Sequence, residues 1–181
     1  MTLPSWHEVP IAKHHDRESF DCGENSLNRF FLHHARKNHQ RGAAKTIVAI
    51  DNHQGTVLGF YSLSPACIAY DVVPKIAKRR LAHHDVPVFR LARLAVDHRF
   101  QGQGLGGQLL LSAGHRALLV AAQVGGVALL IDAKNANIAN WYAGYGAVPL
   151  VDKPLSLLLP FKTIQNVRNI CYLSYSSRLA H

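Results

Sequence analysis

LARLAVDHRFQGQGLGG, running from Leu91 to Gly107, decides the fold. It opens as a strand and closes as the start of a helix, with glycines between. Gly102, Gly104 and Gly106 are spaced two apart and Gly107 adds a fourth. They leave backbone N–H groups uncovered where an apolar helical pattern begins at Leu105, an arrangement suited to phosphates.

Reading outward, Val88 to Val96 is strand-like, yet Arg90 and Arg93 interrupt it in a way that a strand covered by helices on both faces does not tolerate. Downstream, Leu109, Ala113, Ala117, Val120 and Val124 keep a helical stripe that Gly125 and Gly126 end, and VALLID supplies the next buried strand. Gly102, Gly104 and Gly107 also satisfy G-x-G-x-x-G, and Asp132 ends the next strand where a ribose ligand would sit. Context weighs against that dinucleotide reading. DHRFQ separates the strand from the first glycine, where the dinucleotide turn is tight, and only about fifty residues follow Asp132. A Walker loop is excluded because no Lys-Ser or Lys-Thr follows the glycines. Glycines placed for packing alone do not explain their concentration in one helical first turn, where each costs up to about 1 kcal/mol.

With 181 residues, 48% hydrophobic and 17% charged, the chain has the size of one domain, residues 1–181, with a core at about 6–161 and a C-terminal helix and tail at 162–181. Nothing near Met1 has the order of a signal peptide, and no apolar run approaches the roughly 20 residues of a membrane span, so a cytoplasmic protein with no membrane partner is expected. Cys22, Cys67 and Cys171 are too few and scattered for a disulfide framework or a metal site. No metal is expected, and the thiols read as buried or inert. Twenty Lys and Arg against 11 Asp and Glu give a net charge of +9, which favours polyanions, although solubility alone is the competing reading.

Towards the N-terminus, Trp6 to Ile11 reads as a short strand. FDCGENSLNRFF opens a helix with Asp21 as its cap, Leu27, Phe30, Phe31, His34 and Ala35 on its apolar side, and Gly42 as its exit. Arg29, His33, Arg36 and Lys37 form the opposite face, continued by Arg41 and Lys45. Thr46 to Ile50 and Val57 to Leu63 read as a β-hairpin around DNHQG. Pro65, Pro74 and Pro87 bracket a less regular stretch in which KIAKRRLAHH forms a short basic helix. That helix is either a solvated face or a phosphate-tracking patch. The pairs His14-His15, His33-His34 and His83-His84 read as polar surface, since adjacent histidines on a helix point about 100° apart.

These residues carry a family resemblance. Gln101, Gly104 and Gly106 match the Q/R-x-x-G-x-G/A signature of the GNAT acyltransferases, and Asn135, Tyr142 and Gly146 resemble the family's N-x6-Y-x3-G-F, with Ile138 and Ala147 departing from its common alanine and phenylalanine. FDCGENSLNRFF, GFYSLSPA, VPVFRLARLAVD, VGGVALLIDAKN and NWYAGYGAVPL narrow the likeness, over most of residues 6 to 161, to GNAT toxins of toxin–antitoxin modules that acetylate aminoacyl-tRNA. The resemblance implies an α+β fold of a mixed, mostly antiparallel sheet flanked by helices and splayed open after Val88 to Val96. It implies acetyl-CoA as co-substrate, a homodimer, a ribbon-helix-helix antitoxin whose tail covers the active site, and operator DNA only through the antitoxin complex.

Within that resemblance the chemistry can be assigned. Backbone groups at Leu94, Ala95 and Val96 bind the pantetheine and polarise the thioester, those at Gln101, Gly102, Gln103, Gly104, Leu105, Gly106 and Gly107 hold the pyrophosphate, and Asn135 belongs to the cofactor set. Tyr142 is the candidate proton donor to the leaving thiolate, with Tyr145 second. A core or lid aromatic is the alternative for Tyr142. The motifs offer no obvious glutamate as a base for a lysine amine near pKa 10.4. An α-amine near 7.7–8.0 is partly neutral already, and aminoacyl-tRNA presents such an amine on a polyanion. Candidate tRNA contacts are Arg36, Lys37 and Arg41 on the helix face, Lys78, Arg79 and Arg80, and Arg90 and Arg93 beside the cofactor strand. A GNAT enzyme acting on a protein or small-molecule amine, and a non-catalytic nucleic-acid-binding module, remain the competing functions.

Overall fold

A computed structural model describes residues 3–78 and 81–166 of the chain. Its strands are β1 (Trp6–Pro10), β2 (Lys45–Asp51), β3 (Val57–Ile68), β4 (Val86–Val96), β5 (Ala128–Asp132), β6 (Val148–Leu150) and β7 (Lys153–Pro160). Its helices are α1 (Asn25–Phe30), α2 (Arg36–Arg41), α3 (Lys75–Lys78), α4 (Leu105–Val124) and α5 (Ala136–Ala143). The strands make one seven-stranded sheet in the order β1-β2-β3-β4-β5-β7-β6. Pairing is antiparallel at β1–β2, β2–β3, β5–β7 and β6–β7. The long helix α4 makes the crossover between the sheet neighbours β4 and β5. This is the α+β class expected from the sequence. By contact the chain falls into two compact units, residues 1–65 with 91–113, and residues 66–90 with 114–181.

In the first unit the apolar residues of β2, β3 and β4 close over Phe20 and Phe31. Phe31 stacks on Phe60 with ring centroids 4.4 Å apart, and Val48, Ile50 and Ala95 complete the core. The expected single helix from Asp21 to Gly42 is built differently. It starts at Asn25 after Glu24, widens into a π-helical turn at Phe31–Ala35, and leaves through Gly42 at φ 76°. The wide turn shifts the helical phase. Phe31 and Ala35 point inward, whereas His34, which plain helical spacing puts on the apolar side, is exposed. Arg29, His33, Lys37 and Arg41 are exposed as expected. His15 departs from the polar-surface reading: it is buried and its Nδ1 accepts the Ala12 N–H at 3.0 Å. Burial, followed by the charges of His14, Arg17 and His7, lowers its pKa.

β3 runs past Pro65 to Ile68, beyond the expected stop at Leu63. Its register with β2 ends at Leu63, so the proline removes no hydrogen bond from that pairing. In the second unit, Val86, Val88, Ala128, Leu130, Leu150 and Leu158 pack together with Val73. Among the described residues of the expected basic helix only α3 is helical, begun by N–H groups of Ala77 and Lys78 on the Pro74 carbonyl. The α4 stripe is buried at Leu109, Ala113 and Ala117 but not at Val120 and Val124, the latter 74% exposed. β7 has no counterpart in the sequence reading. Its LLL run, Leu157 to Leu159, is wholly buried and therefore does not alternate, and prolines stand at Pro154 and Pro160. Residues 161–166 are helical. Arg79, Arg80 and the remainder of the expected closing helix and tail lie outside the described residues, as does Cys171.

Candidate active site

The glycine run follows β4 through a short 3-10 turn at His98–Phe100. Gly102 and Gly104 have φ of 72° and 85°, the left-handed region where a side chain is strained, and an added Cβ would meet nothing within 4 Å at either. Both are exposed. No side chain therefore packs against the Cα positions of these two glycines, and α4 begins immediately after Gly104, at Leu105. The N–H groups of Leu105, Gly106 and Gly107 belong to the first helical turn, which has no partners inside the helix, and they carry the positive end of the helix dipole. Leu105 is itself buried and anchors the turn. The cradle fits a diphosphate: it is bare, rich in donors and electropositive.

Asp97, which the sequence reading did not assign, ends β4. It is 0% exposed, and each carboxylate oxygen accepts two hydrogen bonds. Oδ1 accepts from Arg99 N at 3.0 Å and Arg99 Nε at 2.8 Å, and Oδ2 accepts from Arg99 Nη2 at 2.9 Å and Asp21 N at 3.2 Å. Desolvation pushes its pKa upward, but the donated bonds from Arg99 and Asp21 outweigh it and hold the carboxyl below its usual range. The side chain of Gln101, the first residue of the signature, turns inward and donates to the carbonyls of Cys22 and Val96, both at 2.9 Å. Gln103 Nε2 donates to Arg99 O at 3.2 Å. Asp21, expected as a helix cap, instead accepts from Gly23 N at 2.8 Å and Asn28 Nδ2 at 2.7 Å, closing the turn before α1.

Leu94, Ala95 and Val96 form the end of β4, with Ala95 and Val96 buried and Leu94 half-buried. Gly59 of β3 is a second residue missing from the sequence reading. A Cβ there would come within 2.8 Å of Ala95 O and of Leu109 Cδ1, so only glycine lets β3 pass this close to the strand and helix that carry the loop. A glycine inside an otherwise apolar strand is the local signal of such an approach.

In the second unit, Asn135 is the N-cap of α5 and accepts the Ile138 N–H at 3.0 Å. Tyr142 lies in the last turn of α5, 7% exposed, its ring set edge-on against Trp141 with centroids 4.9 Å apart. Burial pushes its phenol up to about 12. Tyr145, the second candidate donor, is half-buried and also packs against Trp141, with centroids 4.9 Å apart. Gly146 ends the segment at φ 91°, where a Cβ would strike Thr163 Cγ2 at 2.7 Å. The Asn-Tyr-Gly spacing is thus the spacing of one capped helix and its exit.

The basic candidates divide by surroundings. Lys37 and Arg41 are exposed on α2, and Arg36 Nη1 donates to Gln40 Oε1 at 3.2 Å. Arg93 lies over the Phe30 ring, 5.0 Å from its centroid. Arg90 Nε is 3.7 Å from Asp132 Oδ2, a carboxylate that also accepts from Ser156 Oγ at 2.7 Å. Lys78 donates to Asp71 O and sits over Tyr70.

No family model matches the chain. A tRNA-acetylating toxin of Mycobacterium tuberculosis is 34% identical over 152 residues, 84% of this chain and 90% of that protein. Among solved structures, AtaT complexed with acetyl-methionyl-tRNAfMet is similar with a TM-score of 0.83 at 27% identity, covering 90% of this chain and 99% of that one. A mutant AtaT toxin bound to the C-terminus of the antitoxin AtaR and acetyl-CoA gives 0.75 at 27% identity, covering 90% and 97%.

Proposed function

We propose, because the chain belongs to the family of tRNA-acetylating GNAT toxins, that it transfers the acetyl group of acetyl-CoA to the α-amino group of an aminoacyl-tRNA and so blocks translation. The observation that carries this reading is the bare, left-handed glycine loop at the start of α4, which fits the diphosphate of the donor. Acetyl-CoA supplies the activated acetyl group. The backbone of Gln101 to Gly107 binds its diphosphate and the end of β4, at Leu94 to Val96, aligns the pantetheine. Asn135 caps α5, and through α5 it sets the position of Tyr142. The Tyr142 phenol, neutral throughout the physiological range, donates a hydrogen bond to the sulfur as charge develops there. Its raised pKa makes full proton transfer to the thiolate more steeply uphill than the ordinary values of a phenol and a thiol imply. Relative to a thiol near 8.5, a phenol near 12 holds its proton by about 3.5 units, or about 5 kcal/mol.

The acceptor α-amine is partly neutral at pH 7 and needs no strong base. The positive charge supplies attraction for its polyanionic carrier. Arg36, Lys37 and Arg41 are the candidate tRNA contacts of the first unit, joined by Arg93. Lys78 and Arg90 are those of the second, and Arg79 and Arg80, next to Lys78 in sequence, are candidates as well. An antitoxin neutralises the enzyme. In the same reading this antitoxin is of the ribbon-helix-helix type and carries the complex to operator DNA, the toxin works as a homodimer, and its place of action is the cytoplasm.

The test is to incubate the protein with labelled acetyl-CoA and total charged tRNA, then identify the labelled aminoacyl groups. Label on charged tRNA, none on deacylated tRNA, and growth arrest on expression are expected. Label confined to a polyamine or protein acceptor would overturn the tRNA reading and leave a GNAT enzyme of another substrate class.

A further inference from the structure

The two glycines at the tip of the loop are not packed against side chains, since nothing lies within 4 Å of an added Cβ at Gly102 or Gly104, and the Gln103 amide between them donates only within the loop, to Arg99 O. A loop of left-handed glycines is costly to order, and each donor that must be ordered on binding weakens the binding. Something else therefore has to hold it. Leu105 anchors its C-terminal end by burial, and hydrogen bonds at its N-terminal end tie it to a segment more than seventy residues earlier in the chain. Asp21 N donates to Asp97 Oδ2 at 3.2 Å, His98 N donates to Asp21 O at 2.8 Å, and Gln101 Nε2 donates to Cys22 O at 2.9 Å. Asp97 N itself donates to Leu58 O of β3 at 2.9 Å, which fixes the carboxylate's own backbone. Asp21 is held in turn by Gly23 N and Asn28 Nδ2.

We propose that Asp97 and the side chain of Gln101 are positioning residues that clamp the diphosphate loop to Asp21 and Cys22, so that the loop N–H groups are ordered before the donor arrives. Neither side chain touches the diphosphate: the Asp97 carboxylate is fully buried, and the Gln101 amide is spent on two carbonyls. Their effect falls on the diphosphate end of the donor alone. This inference rests on the reading of the loop as the acetyl-CoA site.

The test compares two donors that share the pantetheine thioester, acetyl-CoA and S-acetylpantetheine, the second lacking the diphosphate and the adenosine 3′-phosphate it carries, on the full-length protein. Binding of each is measured by calorimetry and turnover on charged tRNA by label transfer. Wild type should bind acetyl-CoA at least about a hundredfold more tightly than S-acetylpantetheine. In Asp97→Asn that preference should fall about tenfold, the scale of one charge-assisted hydrogen bond. KM for acetyl-CoA should rise accordingly, kcat should stay within about twofold, and S-acetylpantetheine should bind as before. Gln101→Met, which leaves the buried carboxylate untouched, should lower the same preference and serves if Asp97→Asn does not fold. An equal loss for both donors, or an unchanged preference in both variants, overturns the clamp. A wild type that binds the two donors equally overturns the diphosphate reading itself.

Discussion

Tyr142→Phe removes one oxygen from a residue that is 7% exposed and leaves the ring where it packs against Trp141. Its consequence for rate depends on what the phenol does. With its pKa pushed up to about 12 by burial, full proton transfer to a thiolate of ordinary basicity is uphill by about 5 kcal/mol, so in the proposed mechanism the hydroxyl is assigned the role of a hydrogen-bond donor to developing charge. A hydrogen bond to a charged group contributes about 1.5–3 kcal/mol, which converts to a fall in kcat of about 10- to 150-fold. Obligatory general-acid catalysis would instead cost up to about 10⁴-fold. The assay is single-turnover label transfer to charged tRNA at saturating acetyl-CoA, run from pH 7 to 9.5, with acetyl-CoA affinity and Tm measured beside it. Affinity and Tm should not move, and the wild-type rate should show no alkaline fall from Tyr142 within that range. A loss below about threefold would make Tyr142 a packing residue and refute the assignment. The same shift has a stability sign. The folded pKa lies above the unfolded value near 10, so the native state holds the proton more tightly. Wild type then loses up to about 3 kcal/mol relative to Tyr142→Phe as pH rises from 10 through 12.

Two further outcomes follow from the first unit. Gly59→Ala drives a Cβ to 2.8 Å from the Ala95 carbonyl and Leu109, and backbone cannot move aside as a flexible side chain can. About 1–3 kcal/mol of overpacking should lower Tm by several degrees in a thermal melt, and an unchanged Tm would refute the close approach. Replacing Lys37 and Arg41 together by glutamine should weaken tRNA binding and reduce the slope of log affinity against log salt by about 1.5, and an unaltered slope would remove the α2 face from the tRNA interface.

The strand, glycine loop, helix and strand around Leu91 to Gly107 were legible because each is specified locally. Apolar periodicity marks the elements, and glycine marks the turn that needs φ above zero. The Asn135, Tyr142, Gly146 spacing was legible for the same reason, being the length of one capped helix and its exit. The wide turn at Phe31–Ala35 was not, because ordinary helical spacing has no term for an extra residue, and β7 was not, because a strand buried on both faces loses alternation.

By itself, then, the sequence determined where a glycine loop leaves backbone bare at the start of a helix, which tyrosine follows the second motif, and that the net charge is positive. Tertiary structure alone decided how those parts are tuned. It buried Tyr142 and so raised its pKa, brought Gly59 against Ala95, and joined Asp97 and Gln101 to Asp21 and Cys22 across more than seventy residues. The physical reason is range. Turn chemistry and periodicity act over a few residues of chain, whereas desolvation, close backbone approach and a buried carboxylate's hydrogen bonds depend on neighbours that only the folded chain brings together.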